Sequence, residues 1–121
     1  MRGLVLSALA LLLLSSAAQA SRITGGQLHE QCVAGESSRF YQGTCAGYIA
    51  GVLDAHNMSV ATGHMQRPYL CSDRPIKRGE YISTVTEYLK AHPEQHHLGA
   101  ASLVWIALVS KYVCTGQAAE N

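Results

Sequence analysis

The sequence has none of the short motifs that carry the common hydrolytic chemistries. It has no Gly-x-Ser-x-Gly elbow for a serine nucleophile and no His-Glu-x-x-His pair for a catalytic zinc. It also lacks the Cys-x-x-Cys spacing that structural zinc sites use. We therefore expect no catalytic residues, no cofactor and no bound metal, and we expect a binding protein rather than an enzyme.

The chain also lacks an excess of charge of either sign. It has nine Lys and Arg against eight Asp and Glu, whereas a nucleic-acid-binding domain is usually basic. We therefore expect no nucleic-acid partner. One local cluster of like charge exists, in or beside the longest irregular segment: Arg67, Arg74, Lys77 and Arg78. This cluster indicates either a solvated loop or a contact surface for an acidic partner, where charge increases association rate and specificity.

No apolar run is long enough to span a bilayer, which needs about 20 apolar residues. The longest run, Leu4 to Leu14, follows Arg2 and precedes the small-x-small triplet Ala18-Gln19-Ala20. This order is typical of a signal peptide, here residues 1–20 with cleavage after Ala20. We expect an exported protein with no membrane anchor in its mature form, folded as a single domain over residues 21–121.

The mature part contains all four cysteines, Cys32, Cys45, Cys71 and Cys114. An even number of cysteines in a small exported domain predicts two disulfides and an oxidising compartment. Short connections between antiparallel helices favour the pairs Cys32–Cys45 and Cys71–Cys114. The other two connectivities stay open, because a loop that crosses the molecule would separate Cys71 from Cys114.

The apolar spacing and the helix signals predict an all-α fold, a compact bundle of about four helices. The expected ranges are Gly25–Ala34, Thr44–His56, Glu80–Ala91 and Gly99–Tyr112. Thr24 and Gln27 form a capping box at the first helix, and Pro93 ends the third. The residues from 36 to 43 and from 57 to 79 are predicted to be loops. Because residues 100–109 are apolar except for Ser102, we expect the last helix to be buried on all sides, in the fold or partly in a dimer.

The second predicted helix has two unusual features. Gly43, Gly47 and Gly51 recur every four residues, and glycine inside a helix costs about 1 kcal/mol against alanine. This spacing predicts that another backbone packs closely along the glycines. Asp54 is the one acidic residue of this otherwise apolar helix, and we expect it to hydrogen-bond to a neighbouring backbone group.

Three of the six histidines, His92, His96 and His97, lie close together in the turn before the last helix. Pro93 interrupts the helical spacing that two of them would need to bind zinc together. We therefore expect solvated or capping roles for them. A pH-sensing role is a further alternative, because histidine changes its charge between pH 5 and 8.

The segment Cys45–Ala55, which reads CAGYIAGVLDA, resembles the C-x-G-Y-I-x-G-x-x-D-A signature of the Rap/Tai family of immunity proteins. Its signature positions here include Gly47, Tyr48, Gly51 and Asp54. Tyr88-Leu89 with His92-Pro93-Glu94, the segment 100–104 and Cys114 are similar to further family motifs in the same order. The resemblance covers about residues 28–114. The chain departs from the family at Val113 and Asp73, where proline is usual.

The resemblance implies an all-helical periplasmic protein that forms a homodimer. It also implies a partner, a peptidoglycan amidase effector of the type VI secretion system, which the protein would bind and inhibit. The matching residues are structural, so we place the effector contacts in the loop 57–78, with Arg67, Arg74, Lys77 and Arg78. Two alternatives remain: a periplasmic acid-stress chaperone of the HdeA kind, and an envelope protein that uses this domain without a toxin partner.

Overall fold

The computed structural model describes residues 22–65 and 70–114, and within them the fold is all-helical. Its helices are α1 (Gly25–Ala34), α2 (Arg39–Ala61), α3 (Arg78–Ala91) and α4 (Ala100–Tyr112), with a short 3-10 helix at Pro93–Gln95. Two isolated bridges, Thr24 with Gly99 and Leu70 with Val113, connect the segments between them. The predicted bundle of four helices is confirmed.

Within the described ranges, no helix combines the length and apolarity needed to cross a bilayer. The predicted signal peptide at residues 1–20 lies outside the described residues.

Helix α1 begins and ends where the sequence predicts. Gln27 N donates to Thr24 Oγ1 at 3.3 Å, and Thr24 N donates to Gln27 Oε1 at 2.9 Å, which is the predicted capping box. Such reciprocal bonds satisfy backbone groups that a helix start leaves unpaired. The inner face of α1 buries Leu28 and Cys32. Its first residue, Gly25, lies so close to the Leu103 side chain that a Cβ at position 25 would overlap it.

Helix α2 is longer at both ends than predicted. It begins at Arg39 rather than Thr44 and continues past His56 to Ala61, where Thr62 Oγ1 donates to Met58 O at 2.8 Å. The prediction of a loop over residues 36–43 therefore holds for residues 36–38 and was wrong from Arg39 onward. Polar residues there face solvent, and solvent-facing polar residues do not end a helix whose inner face is packed. The prediction of a loop over residues 57–79 was also wrong at both ends, because α2 continues to Ala61 and α3 begins at Arg78 rather than Glu80.

Helices α3 and α4 complete the core. Helix α3 ends at Ala91, before Pro93 as predicted, and α4 begins one residue later than predicted, after Gly99. The fold alone does not bury α4 on all sides, because Ile106 is 43% exposed and Ser102 and Ser110 face solvent. Burial of this side in a dimer stays a prediction. The opposite side of α4 packs into the bundle. The fully buried large side chains of the domain are Leu28, Ile49, Val85, Leu89, Leu103, Val104 and Leu108.

Both favoured disulfides are confirmed. Cys32 pairs with Cys45 in the core between α1 and α2, and Cys71 pairs with Cys114 near the surface, after α4. Cys71 N also donates to Tyr112 O at 2.7 Å. The disulfide and this hydrogen bond together fix the segment 70–77 against the end of α4.

Candidate functional site

Within the described chain no other backbone approaches the glycines of α2, so the predicted close packing does not occur inside the domain. Gly43, Gly47 and Gly51 are exposed, and a Cβ at any of them would have no neighbour within 4 Å. Phe40 and Met58 lie on the same side of the helix, 72% and 63% exposed. We call these five residues the α2 outer face. No other part of the described chain covers it.

The remaining signature residues differ in their surroundings. Tyr48 is half-buried and packs against the core, which agrees with a structural role. Asp54 is exposed and forms no hydrogen bond or ion pair with the described residues, so the expected bond to a neighbouring backbone group is absent. An unpaired carboxylate in the middle of a helix has no evident part in holding the fold.

The four predicted partner-binding residues do not form one free basic surface. Arg67 lies outside the described residues. Arg74 donates to both carboxylate oxygens of Glu80 at 3.0 Å, so its charge is engaged within the chain. The hydrogen bond from Arg74 holds the pKa of Glu80 below its usual value, and the same pair raises the pKa of Arg74. Lys77 and Arg78 remain exposed at the start of α3, without an ion pair to the described residues.

Arg78 borders a cleft of about 460 Å³ between α2 and the segment that leads into α3. We call it the α2–α3 cleft. Its lining residues are Ala50, Leu53, Asp54, His56, Asn57, Leu70, Ile76, Arg78 and Tyr81. Among its apolar lining residues, Ala50 and Leu53 lie in the middle of α2, and Leu70 and Ile76 lie near the two ends of the segment 70–77. Clefts with apolar walls and a few polar groups are typical binding sites.

A second cleft of about 370 Å³ adjoins the first. It is lined by residues 70–76 and Tyr81, and it shares Leu70, Ile76 and Tyr81 with the α2–α3 cleft. Burial raises the pKa of Tyr81, and its ring meets Tyr112 edge-on at 5.7 Å between centroids. The shared wall is therefore packed against α4.

His56 is the residue that sequence reasoning missed. It is only 6% exposed, and neither of its ring nitrogens has a hydrogen-bond partner. Its ring lies 4.8 Å from the Trp105 ring, tilted by 41°. Buried polar groups are nearly always hydrogen-bonded, so an unpartnered imidazole needs an explanation. A signal was present: His56 lies seven residues after Ile49, on the apolar side of α2.

Two of the three histidines of the turn before α4, His92 and His96, have partners within the chain, and His97 is exposed. His96 Nε2 lies 2.8 Å from Leu89 O, and His92 Nδ1 lies 3.1 Å from Glu94 Oε1. The His96 ring also lies 4.9 Å from the His29 ring. Burial is the main cause that lowers the pKa of His29, and the neighbouring His96 and Lys90 lower it further. No three metal-binding side chains come together anywhere in residues 22–65 and 70–114.

Comparison with protein families gives a match that covers the helical domain. The family model for Rap1a immunity proteins matches residues 24–114, about three quarters of the chain. This range contains all four helices, both disulfides and the α2–α3 cleft. Comparison with curated proteins and with solved structures gives no match.

Proposed function

The chain belongs to the family of Rap1a immunity proteins, and on that premise we propose that it protects bacteria against a peptidoglycan amidase effector of the type VI secretion system. The family match across the whole helical domain carries this proposal. The protein acts by binding: it occupies the effector's active-site cleft and needs no catalytic group of its own. The two disulfides agree with a periplasmic location, where such an effector meets peptidoglycan.

The effector-facing surface in this proposal comprises the α2–α3 cleft and the exposed residues Lys77 and Arg78. Three observations support this choice: the cleft is concave, its rim carries charges with no partner in the described chain, and its wall is held by the Cys71–Cys114 disulfide. A surface fixed in this way loses little conformational entropy on binding, which favours tight complexes.

The experiment is an inhibition assay with a peptidoglycan amidase of the type VI secretion class, sought first among the genes beside this one. We expect the purified mature protein to form a complex with this amidase and to stop its cleavage of peptidoglycan. In cells, the full chain should protect against the amidase delivered to the periplasm, and a chain without residues 1–20 should not. An amidase that stays active with excess protein would contradict the proposed function.

A quadruple alanine variant tests the proposed surface separately. It replaces Arg67, Arg74, Lys77 and Arg78. Full protection by this variant would show that the effector is bound elsewhere on the domain, while the proposed function would stand.

The α2 outer face is our choice for the homodimer contact. An antiparallel two-fold arrangement centred between Gly47 and Gly51 places Phe40 of one protomer against Met58 of the partner subunit, because the two residues are equally far from that centre. Exposed glycines let two helix backbones approach closely, and the flanking apolar side chains add buried area. Both features are present on this face.

Sedimentation experiments test the dimer. We expect the wild-type chain to form dimers and the Phe40→Ser, Met58→Ser variant to be monomeric. Val33→Ser is a matched control, since Val33 is an exposed apolar residue of α1, away from this face. Equal dimer fractions for the wild type and the double variant would contradict the choice of face.

A further inference from the structure

We propose that the Cys71–Cys114 disulfide is a thiol–disulfide exchange site, which a protein dithiol opens in the folded domain while Cys32–Cys45 stays closed. Opening it frees the segment 70–77 from the end of α4. The exchange site stands independently of the proposed function. Its consequence for effector binding rests on the proposed function and deepens it.

The two disulfides differ in their access to solvent. We call Cys32–Cys45 the core bridge, because its cysteines are 6% and 2% exposed. We call Cys71–Cys114 the outer bridge: Cys71 is exposed, Cys114 is half-buried, and Cys71 lines the cleft of about 370 Å³ beside Tyr81. Exchange requires that an attacking thiolate reach one of the two sulfur atoms, so its rate depends on access. Of the two bridges, the outer one meets this condition without unfolding of the core.

The exchange transfers two electrons from the dithiol to the outer bridge. A thiolate of the dithiol bonds to Sγ of Cys71, the more exposed cysteine, and the S–S bond breaks with Cys114 leaving as a thiolate. The second thiol of the dithiol, as its thiolate, then attacks the mixed disulfide, and Cys71 leaves in turn. The two protons given up by the dithiol pass through water to the two cysteine thiolates. The dithiol is oxidised to a disulfide, and the domain gains two thiols.

The segment 70–77 depends on the outer bridge for its position. It contains no helical residue, and two backbone contacts connect its start to the end of α4. Leu70 forms an isolated bridge with Val113, and Cys71 N donates to Tyr112 O at 2.7 Å. Both contacts lie within one residue of the disulfide. The ion pair of this segment with the first turn of α3 is largely exposed, and exposed ion pairs hold a segment only weakly.

The freed segment would change both clefts. Leu70 and Ile76 belong to it, and each lines the α2–α3 cleft as well as the adjoining one. A wall that is no longer fixed has to be ordered when a partner binds, which costs conformational entropy. On the proposed function, the domain with an open outer bridge therefore binds the effector more weakly than the oxidised domain.

Timed reduction of the mature protein tests the exchange site. Reduced thioredoxin, a dithiol protein, and dithiothreitol are added separately at neutral pH, free thiols are alkylated at intervals, and the labelled peptides are identified by mass spectrometry. We expect both reductants to open the outer bridge at least about tenfold faster than the core bridge, which serves as the matched control in the same molecule. Equal rates for the two bridges would overturn the proposal. Labelling with dithiothreitol but not with thioredoxin would also overturn it, because a protein dithiol would then be unable to reach the bridge.

Hydrogen exchange tests the release of the segment. The protein is reduced at the outer bridge, kept in reductant without alkylation, and compared with the oxidised protein. We expect the Cys71 amide to exchange at least about tenfold faster after reduction. The Ala100 amide is the control, because it donates to Ile23 O at 2.9 Å beside the other isolated bridge, where no disulfide lies. An unchanged Cys71 amide, or an equal rise for Ala100, would overturn a release that is confined to this segment.

Amidase binding separates this inference from the proposed function. We expect the amidase of the inhibition assay to bind the reduced domain at least about tenfold more weakly than the oxidised domain. Equal affinities would refute the effect of the outer bridge on the effector surface, while the proposed function would stand. Failure of the oxidised protein to bind the amidase would refute the proposed function, and the exchange site would still be decided by the timed reduction.

Discussion

Replacing Gly47 and Gly51 by alanine should make the single chain more stable and its dimer weaker. Each glycine in the interior of a helix costs about 0.8–1 kcal/mol relative to alanine, so the double variant should gain about 2 kcal/mol. Neither residue has a positive φ, and neither has an atom within 4 Å of the added methyl group. No opposing steric cost within the chain offsets the gain. In a domain of about 100 residues, it corresponds to a rise in Tm of about 8–16 °C.

The same two methyl groups would stand between the helices of the proposed dimer. Separating two closely packed backbones removes van der Waals contacts along the whole contact line, so we expect a marked loss of dimer affinity. Urea unfolding at a concentration where the chain is monomeric measures the first effect, and sedimentation at high concentration measures the second.

Two results would contradict these predictions, one for the stability of the monomer and one for the dimer contact. A double variant that is less stable as a monomer would show that the glycines pack against the chain's own residues. A variant that is more stable but dimerises as well as the wild type would agree with the helix energetics. It would show that the dimer contact lies outside the α2 outer face.

Three further predictions concern the stability of the domain. Gly25→Ala should lower the free energy of unfolding by about 1–3 kcal/mol, because its methyl group would overlap the Leu103 side chain. Replacing Cys71 and Cys114 by serine should lower it by about 4 kcal/mol, since the loop they close has a sequence separation of 43. Acidification should destabilise the fold through His29, whose pKa is lowered by burial. The stability that His29 contributes is present above its unfolded-state pKa, about 6.5, and is lost as the pH falls through its folded-state pKa.

Urea titrations check all three predictions. A Gly25→Ala variant as stable as the wild type would mean that α1 can shift away from α4 at little cost. For the disulfide, a loss well below 2 kcal/mol would mean that the unfolded chain is already compact. For the pH effect, the decline in unfolding free energy from pH 7 to pH 5 should be smaller in His29→Gln. An unchanged decline would assign it to other groups, and chaperone activity appearing at acid pH would favour the chaperone alternative.

Helix order and disulfide pairing could be predicted because both depend on local signals. The Thr24 capping box, the stop before Pro93 and the apolar spacing each act within one or two turns of helix. Cysteine pairing then followed from the order of the antiparallel helices. The ends of α2 could not be predicted in this way. Tertiary packing of its middle extends the helix into polar residues that would not form one alone.

The candidate site depends on contacts between distant segments, so most of it was beyond sequence reasoning. The basic cluster was visible, but the ion pair of Arg74 with Glu80 depends on how the segment 70–77 turns into α3. The glycines of α2 were visible too, yet only the packed structure shows that they face outward. The sequence does not show that His56 is unpartnered. Only the structure shows that neither of its ring nitrogens has a hydrogen-bond partner.

Each of the two disulfides joins two cysteines in the same half of the chain. Cys32–Cys45 lies within the α1–α2 half and Cys71–Cys114 within the α3–α4 half, so no bridge crosses the connection between them. A single cut at the exposed turn around Gly63 would leave two pieces held together by non-covalent contacts, among them the shared core, the bridge of Thr24 to Gly99 and the ion pair of Lys90 with Glu36. The domain is therefore suited to fragment complementation. Reassociation of the two oxidised halves would report on the strength of the core between them.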